Sequence, residues 1–385
     1  MKKISAALFS FCILTAFFSC SRKEAANHVT TAFYALDAEI CDVLESEITA
    51  SAKEKGIECE FKRLEASKKL SASDFEKYGI VFTQNGKSAA VLSEKAADIP
   101  KSCFSVIPSS LTHDKKILPL ILDHYGPIFY STPQNKLELS IPESYSGLKE
   151  FLEAEKKSGL LNHASVCAGK NDDELFGFVS TVALALYDNE KYLSLADELS
   201  RTDGTELPKN LTAVLDEIIQ FQNNGLINKS WYAISLKDVL SWYFPERNSG
   251  VFFISLSLQR KVDNLYSRYY ERADFPTDNA GKNALIGNEI CALFFNEKPA
   301  VSQILEALVS SEVQRNLTDR TYLAPVNKSC TAYDREADDV RYWAALCPEG
   351  MYAPLGSLAF YDKEKQSLLA EKIREYLKIK ALSKN

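Results

Sequence analysis

The chain has 385 residues, 46% of them hydrophobic, and its formal net charge at pH 7 is −7. Such an acidic chain lacks the positive field with which proteins attract nucleic acids, so this class of function is excluded. At roughly 150 residues per domain, the length predicts two or three domains.

The first 20 residues, MKKISAALFSFCILTAFFSC, have the pattern of a lipoprotein signal. Two lysines precede an apolar run from Ile4 to Ser19, which is shorter than the ~20 residues that a membrane-spanning helix needs. The run ends at Cys20, and polar residues follow. We therefore expect a signal peptide at 1–19, lipidation of Cys20 and a tether at 20–27, with plain secretion or an uncleaved anchor as the alternatives.

The following residues alternate between strand-like and helix-like patterns, which favours an α/β fold. Residues 28–36 are predicted as a strand, 37–55 as a helix with apolar residues at helical spacing, and 57–64 as a second strand. Together they predict one right-handed βαβ unit. A short strand is predicted at 78–82. The apolar stretch 117–132 contains two prolines and a glycine, which predicts two strands that meet at a crossover.

The second half of the chain contains four amphipathic patterns. Apolar residues at helical spacing predict helices at 172–187, 211–221, 301–317 and 363–380. Each apolar stripe is about 100° wide and the rest of each helix is polar. These helices are therefore predicted to cover a sheet and not to span a bilayer.

Seven cysteines lie beyond Cys20, so at least one thiol must be free, and their spacing matches no zinc site. Disulfides between Cys330 and Cys347 or between Cys41 and Cys59 are possible, and buried free thiols are the alternative. The sequence has no nucleophile elbow, no H-E-x-x-H and no phosphate loop, and its four histidines are scattered. We therefore expect no metal site, no cofactor and no enzymatic activity.

Several segments, in order and spacing, resemble the extracellular solute-binding proteins of ABC importers, of the sugar-receptor type. The similar segments are KKILPLILDHYGPIFYS, IPESYSGLKEFLEAEKK, AGKNDDELFGFVSTVALAL, VLDEIIQFQNNGLI and SQILEALVSSEVQRNLTDRTYLAPVN. The family's hinge strands match at Pro119 and Tyr130, its helix-opening proline at Pro142, and its later helix and loop at 311–314 and 325–327. The resemblance covers about residues 28–380.

The sequence departs from the family pattern at two places. Ser131 stands where the family commonly has asparagine, and NSGVFFISLSLQRK replaces a glycine-rich stretch that lies near the ligand. Both places fall close to the expected ligand contacts. The resemblance therefore supports the fold more strongly than it supports a sugar as the ligand.

The resemblance implies an α/β, two-lobed periplasmic-binding-protein fold of type II, with mixed sheets flanked by helices and a hinge between the lobes. The N-terminal lobe is expected at 28–135 with a return segment near 276–330. The C-terminal, helix-rich lobe is expected at 136–275 and 331–385.

Four aromatic residues clustered within 13 positions are candidates for ligand contact: Trp231, Tyr232, Trp242 and Tyr243. Flat rings stack well on the apolar faces of sugars, and neighbouring carboxylates and amides can then bind the hydroxyl groups. The alternative is that these rings belong to the core of a helical lobe.

Two polar groups complete the predicted ligand-binding site. Asp123, His124 and Tyr125 follow a buried strand and would face the hinge side of the cleft, or else form a solvated turn. Asp172 and Asp173 follow Gly169, in a loop that family members present to the cleft. As acids at the start of a helix they also have an ordinary capping role.

These observations predict a monomeric, lipid-anchored receptor that faces the periplasm or exterior and delivers a small solute, a carbohydrate by resemblance, to ABC permease subunits. The alternative is a lipoprotein that keeps the fold but serves as an adhesive or structural surface protein. A cleft lined by tryptophan and carboxylates would favour the receptor, whereas a cleft poor in polar groups would favour the alternative.

Overall fold

The structure is a computed structural model that describes residues 27–66, 69–131, 141–158, 164–246, 249–278, 284–332 and 334–382. The predicted signal peptide, Cys20 and all of the predicted tether except Asn27 lie outside these residues. Within the described ranges, no helix combines the length and the apolar character that a bilayer span requires.

The described residues form ten strands, which run through the molecule as one branched sheet. The strands are β1 (His28–Tyr34), β2 (Glu58–Leu64), β3 (Ile80–Gln84), β4 (Ile117–Tyr130), β5 (Val166–Cys167), β6 (Val251–Ser255), β7 (Tyr270–Arg272), β8 (Leu285–Phe294), β9 (Ala324–Pro325) and β10 (Met351–Tyr352).

The same residues form fifteen α-helices, several of them a single turn. They are α1 (Ala38–Glu54), α2 (Lys87–Ser93), α3 (Lys101–Phe104), α4 (Tyr145–Ser158), α5 (Asp172–Leu186), α6 (Asn189–Arg201), α7 (Lys209–Asn223), α8 (Leu236–Asp238), α9 (Leu256–Arg260), α10 (Asn264–Ser267), α11 (Pro299–Leu308), α12 (Ser311–Thr321), α13 (Arg335–Leu346), α14 (Leu355–Ala359) and α15 (Lys363–Leu382). Short 3-10 turns and a π-helical turn at Val239–Tyr243 complete the described elements.

The predicted βαβ unit is confirmed. Strands β1 and β2 pair in parallel from His28 opposite Glu58 to Tyr34 opposite Leu64, and α1 connects them. β3 then pairs in parallel with the other edge of β1. Buried side chains of α1, including Leu44 and Ile48, pack in the core beside this sheet.

The predicted crossover at 117–132 is one continuous strand, which changes its partners along its length. From Ile117 to His124 β4 pairs antiparallel with β8, and from Tyr125 to Phe129 it pairs antiparallel with β6. A register shift lies between Pro119 and Ile121, where a proline can be accommodated without loss of a ladder hydrogen bond. The prediction of two separate strands is therefore wrong, whereas the predicted crossover is present as a change of pairing partner between His124 and Tyr125.

The change of partners divides the molecule into two lobes, each with its own core. The first lobe contains β1, β2, β3, β8 and the first half of β4, with α1, α11 and α12. The second lobe contains the second half of β4 with β5, β6 and β7, and helices α4 to α7 and α15 pack beside them. The predicted α/β fold with two lobes is confirmed.

Two details of the second half differ from the sequence prediction. The single helix predicted at 301–317 is two helices, α11 and α12, because the Ser310 hydroxyl accepts a hydrogen bond from the Val313 amide and begins a new helix. Helix α13 packs Ala337, Val340 and Ala344 in the first core, although residues 331–385 were expected in the second lobe. The remaining lobe boundaries stay a prediction.

Seven cysteines outside the signal region are not joined in disulfides: Cys41, Cys59, Cys103, Cys167, Cys291, Cys330 and Cys347. Five of them are buried, and the disulfides considered from spacing do not form. These residues therefore serve as small apolar side chains in the packing.

Candidate ligand-binding cleft

A cleft with a volume of 180 Å³ opens between the lobes, where β4 changes partners. The first lobe lines it with the start of α1, the end of β3, part of β8 and the end of α12. The second lobe contributes the start of α5, the end of β6 and helix α9. A ligand in this cleft would therefore contact both lobes at once.

The lining is rich in polar groups. Carboxyl groups come from Asp37, Glu39, Asp123, Asp173 and Glu174, and amide groups from Gln84, Asn171 and Asn288. Hydroxyl groups come from Ser255, Ser257, Thr321 and Tyr125, while Ile40, Leu236, Leu258, Ile290 and Leu323 are apolar. Apolar walls with a few convergent polar groups are typical of a small-molecule site.

Asp123 lies at the end of the β4 segment that belongs to the first lobe. Its Oδ1 accepts a hydrogen bond from the Ser257 amide at 2.9 Å, and its Oδ2 accepts one from the Ser257 hydroxyl at 2.7 Å. Burial raises the pKa of the Asp123 carboxyl, and the two hydrogen bonds from Ser257 oppose that effect. The second lobe thus holds a carboxyl group of the hinge strand.

Glu174 occupies the first turn of α5, which the Asn171 side chain caps by accepting a hydrogen bond from the Glu174 amide. The carboxyl group of Glu174 is buried and accepts hydrogen bonds from the amide of Ser255 at 3.1 Å and from its hydroxyl at 2.5 Å. Burial raises the pKa of Glu174 to about 8, with a further contribution from the negative charge of Asp123. Glu174 is therefore mainly protonated at neutral pH.

Tyr125 and Asn288 form the floor of the cleft. The Asn288 Nδ2 donates a hydrogen bond to the Tyr125 hydroxyl at 3.3 Å, whereas the buried Asn288 Oδ1 has no hydrogen-bond partner. The Tyr125 ring lies directly against Gly177 of α5, and a Cβ at residue 177 would collide with it. Only glycine at this position lets the ring and the helix approach so closely.

The two basic residues of the lining are both paired with carboxylates. Lys261 Nζ lies 3.4 Å from the Glu39 carboxylate, and this ion pair joins the two lobes. Arg320 Nη1 lies 2.8 Å from the Glu47 carboxylate on the neighbouring helix α1. Within the described part of the chain, no group of three His, Cys, Asp or Glu side chains could hold a metal ion.

Of the predicted hinge triplet, Asp123 and Tyr125 line the cleft and His124 does not. Successive side chains of a strand point to opposite faces, so His124 is directed away from the cleft. It is fully buried, its Nε2 lies 3.6 Å from the Asp274 carboxylate, and its carbonyl accepts a hydrogen bond from Arg272. We predicted that His124 contacts the ligand, but its position does not support this contact. The residue packs inside the hinge.

The predicted aromatic cluster does not line the cleft. Trp231 is completely buried and packs edge-to-face on Phe178, with ring centroids 5.1 Å apart. Tyr232 packs against the same core, and the buried Tyr243 accepts a hydrogen bond from Asn228 through its hydroxyl group. Trp242 is 46% exposed and contacts the Tyr243 ring. Most of these rings therefore belong to the core of the second lobe, which was the alternative considered from the sequence.

The two adjacent acids at the start of α5 have different surroundings. Asp173 lines the cleft, whereas Asp172 accepts hydrogen bonds from Arg374 at 2.7 Å and from Ser367 at 2.8 Å. Neighbouring residues on a helix point about 100° apart, which explains the difference. Asp172 therefore joins α5 to α15 and is not part of the cleft.

The sequence reasoning missed several cleft residues, above all Glu174 and Asn288. It also missed Ser255, Ser257 and Lys261, although they belong to the segment NSGVFFISLSLQRK that departs from the family pattern near the expected ligand. That departure was the available signal, because polar residues alternate with leucines from Ser255, at the end of β6, to Gln259 in α9.

A second groove, of 380 Å³, lies on the outer face of the first lobe between α1 and helices α11 and α12. It is lined mainly by exposed or half-buried side chains of one lobe, so closure of the lobes would not enclose a ligand there. The interlobe cleft is the better candidate site, because buried polar groups from both lobes converge on it.

Comparison with known proteins shows the fold. The structure is similar to the bacterial solute receptor AcbH, described as preferring β-D-galactopyranose (TM-score 0.71, 10% identity, 94% of this chain and 98% of that chain). It is also similar to the binding protein MsmE of Bacillus subtilis (TM-score 0.66, 13% identity, 93% and 97%). RafE of Streptococcus pneumoniae gives a TM-score of 0.63 at 12% identity, over 92% and 98% of the chains. No protein-family model and no curated protein matches the sequence.

Proposed function

We propose that the chain is a lipid-anchored receptor that binds a small polar solute and delivers it to an ABC importer. A carbohydrate is the simplest candidate for this solute. The observation that carries this proposal is the cleft, where carboxyl, amide and hydroxyl groups of both lobes converge beside an unpaired buried Asn288 Oδ1. The similar structures AcbH and MsmE are described as a solute receptor and a binding protein, and a RafE structure holds raffinose.

The position of the cleft favours binding coupled to closure of the lobes. A ligand that contacts Asp173 in the second lobe and Gln84 in the first can satisfy both groups only when the lobes lie close together. The Lys261–Glu39 ion pair already joins the two sides. Ligand contacts would add to this attraction and stabilise the closed arrangement.

The size of the cleft favours a small solute. Its volume of 180 Å³ is below the ~300–1,000 Å³ typical of clefts that hold drug-sized ligands. We therefore propose a solute about as large as one sugar ring. Oligosaccharides would need a wider opening between the lobes.

We further propose that the receptor is anchored outside the cytoplasmic membrane by a lipid on Cys20. The apolar run ending at Cys20 supports this proposal, together with the first strand, which begins only eight residues later at His28. Such a short tether would hold the cleft near the membrane and near permease subunits.

A second candidate function is a surface lipoprotein that keeps this fold without a role in transport. The observation in its favour is that Tyr125 alone among the lining residues has an aromatic ring, and Tyr125 is only 3% exposed. Ring stacking, which commonly supports sugar binding, is therefore not available from the described lining.

Calorimetric titration and small-angle scattering with a library of monosaccharides and related polyols would test the proposed function. We expect at least one solute to bind, to raise the melting temperature and to reduce the radius of gyration. Asn288→Ala should weaken that binding about tenfold, because it removes one buried hydrogen bond. Asn210→Ala, which removes a hydrogen bond to Glu198 in the second lobe and does not line the cleft, is the matched control. If no solute changes the melting temperature or the radius of gyration, the non-transport alternative is favoured.

A further inference from the structure

The cleft carries an excess of acidic groups. Its two basic side chains are already paired, Lys261 with Glu39 at 3.4 Å and Arg320 with Glu47 at 2.8 Å. Three further lining carboxyl groups, of Asp37, Asp123 and Asp173, have no ion-pair partner among the described residues, whereas Glu174 is mainly protonated. A ligand therefore meets a site with several acidic groups and no available cation in its described lining.

A further cation, Arg272, is buried beside the cleft residues Asp123 and Ser255, and its donors are already used. The buried Arg272 guanidinium donates hydrogen bonds to Gln259 and to the backbone carbonyls of His124, Ile254 and Ser255. It does not line the cleft. Its charge favours ionisation of Asp123, but it supplies no hydrogen-bond donor to a ligand.

An independent observation shows that one buried acceptor of the cleft lacks a hydrogen-bond donor. Asn288 is only 8% exposed and lines the cleft, yet its Oδ1 has no hydrogen-bond partner. An unpaired acceptor that is buried costs free energy unless a ligand or water supplies a donor. Asn288 and the acidic groups would therefore accept hydrogen bonds from the same kind of ligand, one with several N–H or O–H donors.

We infer that the solute carries a positively charged nitrogen beside its hydroxyl groups, as an amino sugar does, and that Asp173 selects it over the corresponding neutral sugar. This inference rests on the proposed function and names the class of solute. A charged ammonium group gives a carboxylate a stronger hydrogen bond than a hydroxyl group does. With no exposed ring for stacking, charge must supply more of the selectivity.

The test is calorimetric titration of the purified protein at low ionic strength and about pH 6.5, where such amines are protonated. The probes are matched pairs of D-galactose with D-galactosamine, D-glucose with D-glucosamine, and D-mannose with D-mannosamine. We expect at least one amino sugar to bind tenfold or more tightly than its neutral partner. Added salt should weaken the amino sugar more than the neutral sugar, because it screens the charges.

Asp173→Asn should reduce the preference for that amino sugar about tenfold, since it removes one charge from the cleft. Asp172→Asn makes the same change one residue away, outside the cleft, and should leave the preference unchanged. A neutral sugar that binds as tightly as its amino partner, or a preference untouched by Asp173→Asn, would overturn the inference and leave the proposed function standing. If neither kind of sugar nor any polyol of the wider library binds, the proposed function itself fails.

Discussion

Replacement of Trp231 by alanine should destabilise the second lobe without a specific effect on ligand binding. The indole ring is completely buried, packs on Phe178 at 5.1 Å between centroids, and lies so close to Gly169 that a Cβ there would be 2.6 Å from it. Truncation of such a ring leaves a cavity and costs about 3–5 kcal/mol of unfolding free energy. The indole Nε1 has no hydrogen-bond partner, so the loss comes from packing alone.

Urea unfolding of the variant, followed by intrinsic fluorescence and circular dichroism, measures this cost. For a slope of about 1–3 kcal/mol per molar urea, the midpoint should fall by about 1 M or more. The slope itself should stay unchanged if the two states keep their compactness. Binding of any solute found in the library should keep its affinity at temperatures where the variant is folded.

Trp231→Phe is the matched control for this prediction. It keeps an aromatic ring against Phe178 and removes the unpaired buried N–H, whose burial costs about 1–3 kcal/mol. We therefore expect it to lose less than half of what the alanine variant loses. An alanine variant with an unchanged midpoint and a lost affinity would refute the reasoning, because that outcome belongs to a cleft residue.

Three further changes test other parts of the molecule. Cys20→Ala should release the protein into the soluble fraction, and a variant that stays on salt-washed membranes would contradict the proposed anchor. Burial raises the pKa of Glu174 to about 8, so its contribution to stability is full below about pH 4.5 and declines as the pH rises through 8. Glu174→Gln should flatten this decline, measured as urea midpoints from pH 6 to 9. Part of the decline should remain, because burial also raises the pKa of Glu289 to about 8. An unchanged dependence of the midpoint on pH would refute the raised pKa of Glu174. Gly177→Ala should lower both the midpoint and the solute affinity, because its Cβ would displace the Tyr125 ring, and wild-type values for both would show that the ring is not held there.

Much of the fold could be predicted from the sequence, because local patterns decide it. Alternation of strand and helix patterns over 28–64 predicted the parallel pair β1 and β2 with α1 between them. The prediction failed where one residue outweighs the pattern: apolar spacing continues from 301 to 317, but the Ser310 cap ends one helix and begins another. The proline-containing strand β4 remained continuous because Pro119 falls at the register shift, which only the pairing with β8 reveals.

The site was predicted less well, because it depends on neighbours that are distant in sequence. Trp231 is core because Phe178 packs on it, and no local pattern shows that contact. Asp123 and Tyr125 could be placed correctly by their strand, and period-two alternation would have separated them from His124. Glu174 was missed because an acid in the first turn of a helix usually has only a capping role.

The order of the strands also governs when the first lobe can fold. Strand β3 has β8 as its second neighbour, and Thr83 accepts a hydrogen bond from Cys291, 208 residues later in the chain. Helix α1 likewise holds Arg320 through Glu47, across 273 residues. A chain emerging from its N-terminus would therefore present β3 as an open edge until strands β4 to β7 and helices α4 to α7 had followed. Contacts of such sequence separation form slowly, so the first lobe should be the slower of the two lobes to fold. For the same reason, a fragment that ends before residue 284 would lack the strand that completes its sheet.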